Sequence, residues 1–100
     1  MTVIYHNITI IGIGLIGASV ALKARHESLV GTITCYDASE VVRQEAAKLG
    51  IGDVIAETID ASVAKADLVI LAVPVGAMQQ VTTQIAPHLK QGAVITDTGS

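Results

Sequence analysis

Apolar runs alternate with mixed, helix-like stretches along the whole chain. Ile8-Thr9-Ile10-Ile11 is a short β-branched run that stops at a glycine, the pattern of a strand buried on both faces. Leu15 to Arg25 reads as a helix, and Ala18, Ala21 and Ala24 let it lie close to a sheet. Gly31 punctuates, and Thr32 to Tyr36 forms a second strand ending at Asp37. Ser39 is a good N-cap for a helix reaching Leu49, with Glu40 in its first turn, Lys48 in its last and Gly50 at C′. Asp53-Val54-Ile55 is a short third strand, and Thr58 caps a brief helix through Ala64. Leu68 to Val73 is an unbroken apolar run that suits the centre of a sheet. Pro74 ends it, a helix spans Gly76 to Ile85, and Ala93 to Thr96 makes a fifth strand.

Strands alternating with helices over short loops predict an α/β domain. Its sheet is parallel and its crossovers right-handed. No repeat, linker or low-complexity tract divides the sequence, so residues 1–100 are read as one domain. The sequence stops directly after the fifth strand, and the expectation is a sheet truncated at that point.

Composition narrows the class. Of the 100 residues 51% are hydrophobic and 15% charged, below the usual share of about 25% charged. Phe and Trp are absent and there are 2 Tyr, so the core is aliphatic and base-stacking platforms are excluded. The net charge is −3 and the 6 Lys and Arg are scattered, which argues against nucleic acid. No apolar stretch has the roughly 18 residues of a membrane span. Met1 to His6 lacks the basic start of a signal peptide, and Cys35, the single cysteine, is expected as a buried thiol. These features together predict a cytoplasmic protein.

Gly12-Ile13-Gly14-Leu15-Ile16-Gly17 follows the first strand and opens a helix, the context in which G-x-G-x-x-G binds a dinucleotide. Gly12 permits the tight turn, Gly14 clears a path for the pyrophosphate, and Gly17 lets helix and strand pack closely. The helix N-terminus presents free N–H groups to the phosphates. Asp37 lies about 20 residues past Gly17, where an acid accepts from the adenosine ribose hydroxyls. A carboxylate there repels a 2′-phosphate, and Arg43 is a helical turn away, so NAD is expected over NADP. These features define a Rossmann-type doubly wound sheet.

Val73 and Pro74 end the fourth strand on the ligand side, and Thr96 to Ser100 end the fifth. His6, His26 and His88 lie away from these ends and are expected at the surface or in packing. Asp67 opens the fourth strand at the wrong edge for a cofactor. No metal-ligand spacing, Ser-His-Asp arrangement or Walker lysine is present.

The chain resembles the N-terminal domain of the prephenate and arogenate dehydrogenase family over essentially all its length. The resemblance rests on Ile10 to Ser19, Tyr36 to Ser39, Leu71 to Val75, Ala86 to Lys90, and Thr96 to Ser100. It implies oxidative decarboxylation of prephenate or arogenate in tyrosine biosynthesis, with hydride passing to the nicotinamide. It implies dinucleotide contacts at Gly12, Gly14, Leu15, Ile16, Gly17, Asp37, Val73 and Pro74. It gives Ser100 a substrate-side role. The family's general-base histidine, in a His-Pro motif, and its substrate-binding arginines belong beyond Ser100, the latter in a helical dimerisation domain. The resemblance therefore implies a homodimer formed through residues outside this chain, and no turnover by the 100-residue chain alone. Two other readings stay open. One is a further β-hydroxyacid dehydrogenase with a different base; the other is a non-catalytic nucleotide-sensing module such as the regulatory domain of a potassium transporter.

Overall fold

The structure, a computed structural model, describes residues 5–26 and 30–98. Five strands and four helices alternate: β1 (Tyr5–Ile11), α1 (Leu15–His26), β2 (Val30–Tyr36), α2 (Glu40–Leu49), β3 (Val54–Ile55), α3 (Ile59–Val63), β4 (Leu68–Leu71), α4 (Val75–Ile85) and β5 (Val94–Asp97). A short 3-10 turn, Ala86–His88, extends α4. The sheet is parallel in the order β3-β2-β1-β4-β5. Those are the first five positions of the doubly wound dinucleotide-binding order, so the order switches between β1 and β4.

Two apolar layers sandwich the sheet. Ile8, Ile10, Ile33 and Cys35 face Ala21 of α1 and Ala46 of α2. Ile11, Val69 and Leu71 face Ile59 and Val63 of α3 and Ile85 of α4. Small residues on α1 and α2 bring those helices close to the strands, as a Phe- and Trp-free core requires. Thr9 is buried among apolar neighbours, and its hydroxyl donates to the Ser62 carbonyl. Ser62 Oγ donates in turn to the Ile59 carbonyl at 2.6 Å, so the polar groups in this layer are satisfied.

Helix α3 has only five residues and cannot cover the whole β1–β2 face. Asn7, Thr32 and Thr34 therefore line an open groove of about 490 Å³. Their partners on the opposite face, Ile33 and Cys35, are buried. This explains the polar-apolar alternation in β2.

The capping signals act as read. Ser39 Oγ accepts from Val42 N at 3.3 Å, Thr58 Oγ1 accepts from Ala61 N at 3.2 Å, and Gly50 closes α2 at φ 70°. Several boundaries move. β2 begins at Val30 and runs through Gly31, which does not break the chain but sits in the strand where a Cβ would stand 2.8 Å from the His6 carbonyl oxygen. β1 begins at Tyr5, because Tyr5 pairs with Val30 ahead of the apolar run. The fourth strand ends at Leu71 rather than Val73, since the β5 ladder closes there and the chain turns toward Pro74. Helix α4 begins at Val75, and β5 spans Val94–Asp97, one residue later than expected. The centre of the sheet is β1, not the more apolar fourth strand. Strand order follows from crossover topology, which the hydropathy of one strand does not encode.

Candidate functional site

The carboxyl ends of β1, β2 and β4 meet at the switch in strand order. Gly12 leaves β1 with φ +94° and donates its N–H to the Tyr36 carbonyl at 2.8 Å. A Cβ on Gly12 would stand 2.6 Å from the Ala72 carbonyl oxygen, so only glycine fits between β2 and β4. A Cβ on Gly17 would stand 1.9 Å from the Gly12 carbonyl oxygen; this glycine lets α1 fold back onto the turn. Gly14 differs, because a Cβ there would meet nothing within 4 Å. Its missing side chain leaves open space above the first turn of α1. Leu15 and Ile16 supply backbone to that turn, whose first N–H groups have no partner within the helix.

Asp37 clasps the turn from the other side. Its Oδ2 accepts from Ile13 N at 3.0 Å and its Oδ1 from Ser39 N at 2.9 Å. The Asp37 carboxylate thus ties the glycine turn to the start of α2 while staying only half-buried. Each carboxylate oxygen has a second lone pair that a ribose hydroxyl can reach.

Between these groups lies a cleft of about 510 Å³ lined by Gly12, Gly14, Asp37, Val73 and Pro74. Five of the cofactor-contact residues expected from sequence therefore share one cavity. Gly17 is buried outside the lining, and Leu15 and Ile16 follow Gly14 in the chain. Ser100 falls outside the described residues, as does Gly99.

The sequence reading did not include the far wall of the cleft. Ala77, Gln80, Val81 and Gln84 of α4 form it, with Ile59 of α3. Their spacing of three, one and three is that of a single helix face, which is the signal that identifies them. Arg43 lies a helical turn beyond Asp37 in sequence, yet its side chain returns to it. Its Nη1 donates to the Asp37 carbonyl at 2.7 Å, and its guanidinium lies over the Tyr36 ring, 5.6 Å from the centroid.

The remaining titratable groups sit elsewhere. Asp67, just before β4, accepts from Asn7 N at 2.9 Å and pairs with Lys90. The Lys90 ammonium, helped by the Asn7 N–H, holds the Asp67 carboxyl below its ordinary range. This lies at the amino ends of the strands, away from the cleft. His6 is exposed, and His88 Nε2 lies 3.3 Å from Asp60 Oδ2 on the surface. Burial, reinforced by nearby Asp53, pushes the Cys35 thiol up to about 11. Among the described residues no group of three His, Cys, Asp or Glu could hold a metal, and no helix is long and apolar enough to cross a membrane.

A family model described as the nucleotide-binding domain of prephenate dehydrogenase matches residues 20–100. The chain is 47% identical, over all 100 residues, to a cyclohexadienyl dehydrogenase of Zymomonas mobilis. It is 42% identical over 95 residues to a prephenate dehydrogenase of Lactococcus lactis. It covers 34% and 26% of those two proteins, about a third or less of their length. Among solved structures, prephenate dehydrogenase from A. aeolicus in complex with hydroxyphenyl propionate and NAD+ superposes with a TM-score of 0.86. There the identity is 30%, over 95% of this chain and 34% of that one. An arogenate dehydrogenase from Synechocystis shares the fold, with a TM-score of 0.84 at 23% identity over 94% of this chain and 33% of that one.

Proposed function

The chain belongs to the prephenate dehydrogenase nucleotide-binding domain family, and on that premise we propose that residues 1–100 form the NAD-binding part of an oxidoreductase that oxidatively decarboxylates prephenate or arogenate. The observation that carries this reading is Gly14. Its neighbours Gly12 and Gly17 are required by packing, whereas among the described residues nothing comes within 4 Å of a Cβ on Gly14, which lines the cleft. A pyrophosphate needs that space. The fit extends outward: α1 aims its first N–H groups at the cleft, Asp37 keeps acceptor capacity for a ribose, and Val73 and Pro74 form the side toward β4. NAD+ in the A. aeolicus relative supports the cofactor, and hydroxyphenyl propionate there, a hydroxyphenyl acid like the aromatic product of oxidative decarboxylation, supports a ring-bearing acid as the substrate class.

When bound, the nicotinamide supplies the hydride acceptor. The chain's own residues bind and orient it. The glycine turn fixes the pyrophosphate, Asp37 fixes the adenosine ribose, and Val73 and Pro74 limit where the nicotinamide ribose can lie. Gly12, Gly14, Leu15, Ile16 and Gly17 act through backbone, and Ser100 is assigned to the substrate side. NAD is preferred over NADP because Asp37 opposes a 2′-phosphate. Hydride transfer also needs a base for the hydroxyl proton and a clamp for the substrate carboxylates. Both are assigned to residues beyond Ser100, the base to a His-Pro motif and the clamp to arginines of a helical domain, which is also assigned the contacts of a cytoplasmic homodimer. The test has two parts. NADH should bind the 100-residue chain, and prephenate-dependent NADH formation should appear only in a protein that also carries the downstream region. A chain that folds but does not bind NADH refutes the reading.

A further inference from the structure

Arg43 is placed as sequence spacing does not suggest. Its guanidinium is held at two points, by the 2.7 Å bond from Nη1 to the Asp37 carbonyl and by the face of Tyr36. Tyr36 and Asp37 both line the cleft, and Arg43 lines the adjoining groove, so a fixed positive charge stands behind the residue assigned to the adenosine ribose rather than inside the cleft. No carboxylate pairs with Arg43 among the described residues. Arginine carries five N–H donors in a planar fork suited to phosphate, and the Asp37 carbonyl engages one side of that fork.

From this placement we infer that Arg43 is a specificity-determining residue, the cation that sets how far the site accepts a dinucleotide bearing a 2′-phosphate. The inference rests on reading the cleft as a dinucleotide site with the adenosine ribose at Asp37. Two charges of opposite sign then act on the ribose 2′ position from one residue's neighbourhood. The Asp37 carboxylate accepts from a free hydroxyl and repels a phosphate. The Arg43 guanidinium attracts a phosphate and has little to offer a hydroxyl. Glu40 and Glu57 line the groove beside Arg43 and add to the repulsion. Both are exposed, so solvent and salt weaken them more than the half-buried Asp37 and Arg43. The native balance favours NAD, but the cation needed for NADP is already in position. Neutralising one carboxylate therefore moves the preference without adding a positive charge.

The experiment measures dissociation constants for NADH and NADPH by nicotinamide fluorescence on the full chain. The proteins are the native chain, Arg43→Ala, Arg43→Lys, Asp37→Ser, and the double variant of Asp37→Ser with Arg43→Ala. Losing one charge-assisted contact predicts that Arg43→Ala lowers the NADPH-to-NADH affinity ratio about tenfold. Arg43→Lys keeps most of that ratio because the charge remains. Asp37→Ser raises the ratio at least about tenfold, and adding Arg43→Ala reverses most of the gain. Raising salt from about 50 mM to about 300 mM shrinks the contribution of Arg43, as screening requires. A ratio that stays within about twofold when Arg43 is removed, in both backgrounds, overturns the inference. So does an equal loss of both ligands, which would mean that Arg43 only braces the loop. The Arg43 single variants keep the test valid even if Asp37→Ser loosens the glycine turn. Failure of the folded native chain to bind either dinucleotide counts instead against the dinucleotide reading itself.

Discussion

Replacing Gly14 with alanine separates ligand space from packing space. A Cβ on Gly14 meets nothing within 4 Å, and Gly14 has no left-handed φ. Gly→Ala at a compatible site lowers the entropy of the unfolded chain and stabilises by about 0.4–1 kcal/mol. For a domain of this size that raises Tm by a few degrees, at about 4–8 °C per kcal/mol. The same methyl group intrudes on the path assigned to the pyrophosphate. Disturbing one charge-assisted bond, at about 1.5–3 kcal/mol, weakens NADH binding by about tenfold to about 150-fold. Gly17→Ala is the control. Its Cβ would stand 1.9 Å from the Gly12 oxygen, so α1 or the turn must move. Overpacking of that kind costs about 1–3 kcal/mol, and Tm falls by about 4 °C or more. The assays are thermal unfolding by circular dichroism and titration with NADH. The chain has no Trp, so protein emission leaves the nicotinamide signal clear. Native-like NADH affinity in a folded Gly14→Ala protein would refute the argument. So would a Gly14→Ala protein that melts well below native, because the empty space would then be structural.

Three further outcomes are expected. Ser39→Ala removes the α2 cap and costs about 1 kcal/mol, read as a drop in urea midpoint at unchanged slope; no change would mean that Asp37, bonded to Ser39 N, holds the helix start alone. The Asp67 carboxyl has a folded pKa below its unfolded one, so it adds stability that is complete above the ordinary carboxylate value and is lost as pH falls through the folded value. Asp67→Asn should therefore flatten the acid limb of a Tm-against-pH curve, and parallel curves would contradict the assignment. The Cys35 thiol, fully buried and raised to about 11, should resist an aromatic disulfide reagent in the native protein at pH 8 and react fully in denaturant; rapid native labelling would contradict its burial in the layer shared with Ala21 and Ala46.

The sequence carried more of the site than of the sheet. Gly12, Gly14, Gly17 and Asp37 were legible because their spacing is dictated by one local path: strand end, turn, helix start, next strand end. The caps at Ser39, Thr58 and Gly50 were legible for the same reason, since each acts within four residues of itself. Three things were not. The central position of β1 depends on which way each crossover returns, and β4 is the more apolar run. The bond from Ile13 N to Asp37 joins residues 24 apart through tertiary structure alone. The return of Arg43 to Asp37 depends on a rotamer, and a guanidinium on three methylenes spans a helical turn as easily as it points to solvent. The wall of α4 was readable in principle from the Ala77, Gln80, Val81 and Gln84 spacing, but nothing in that spacing says which face meets a ligand.

The sheet order also dictates a sequence of events as the polypeptide emerges during synthesis. Strand β1 is made before its partners, yet it ends between β2 and β4. Its β2 edge can close once Tyr36 has emerged, and β3 then adds outside β2. Its other edge must wait for Leu68 to Leu71, more than half the chain later. Until then Ile8 to Ile11 present unpaired backbone and β-branched side chains, a template for pairing with another nascent chain. The strand that becomes the best protected element of the finished sheet is therefore its most exposed one during synthesis, and chaperone capture should be concentrated on chains stalled before residue 68.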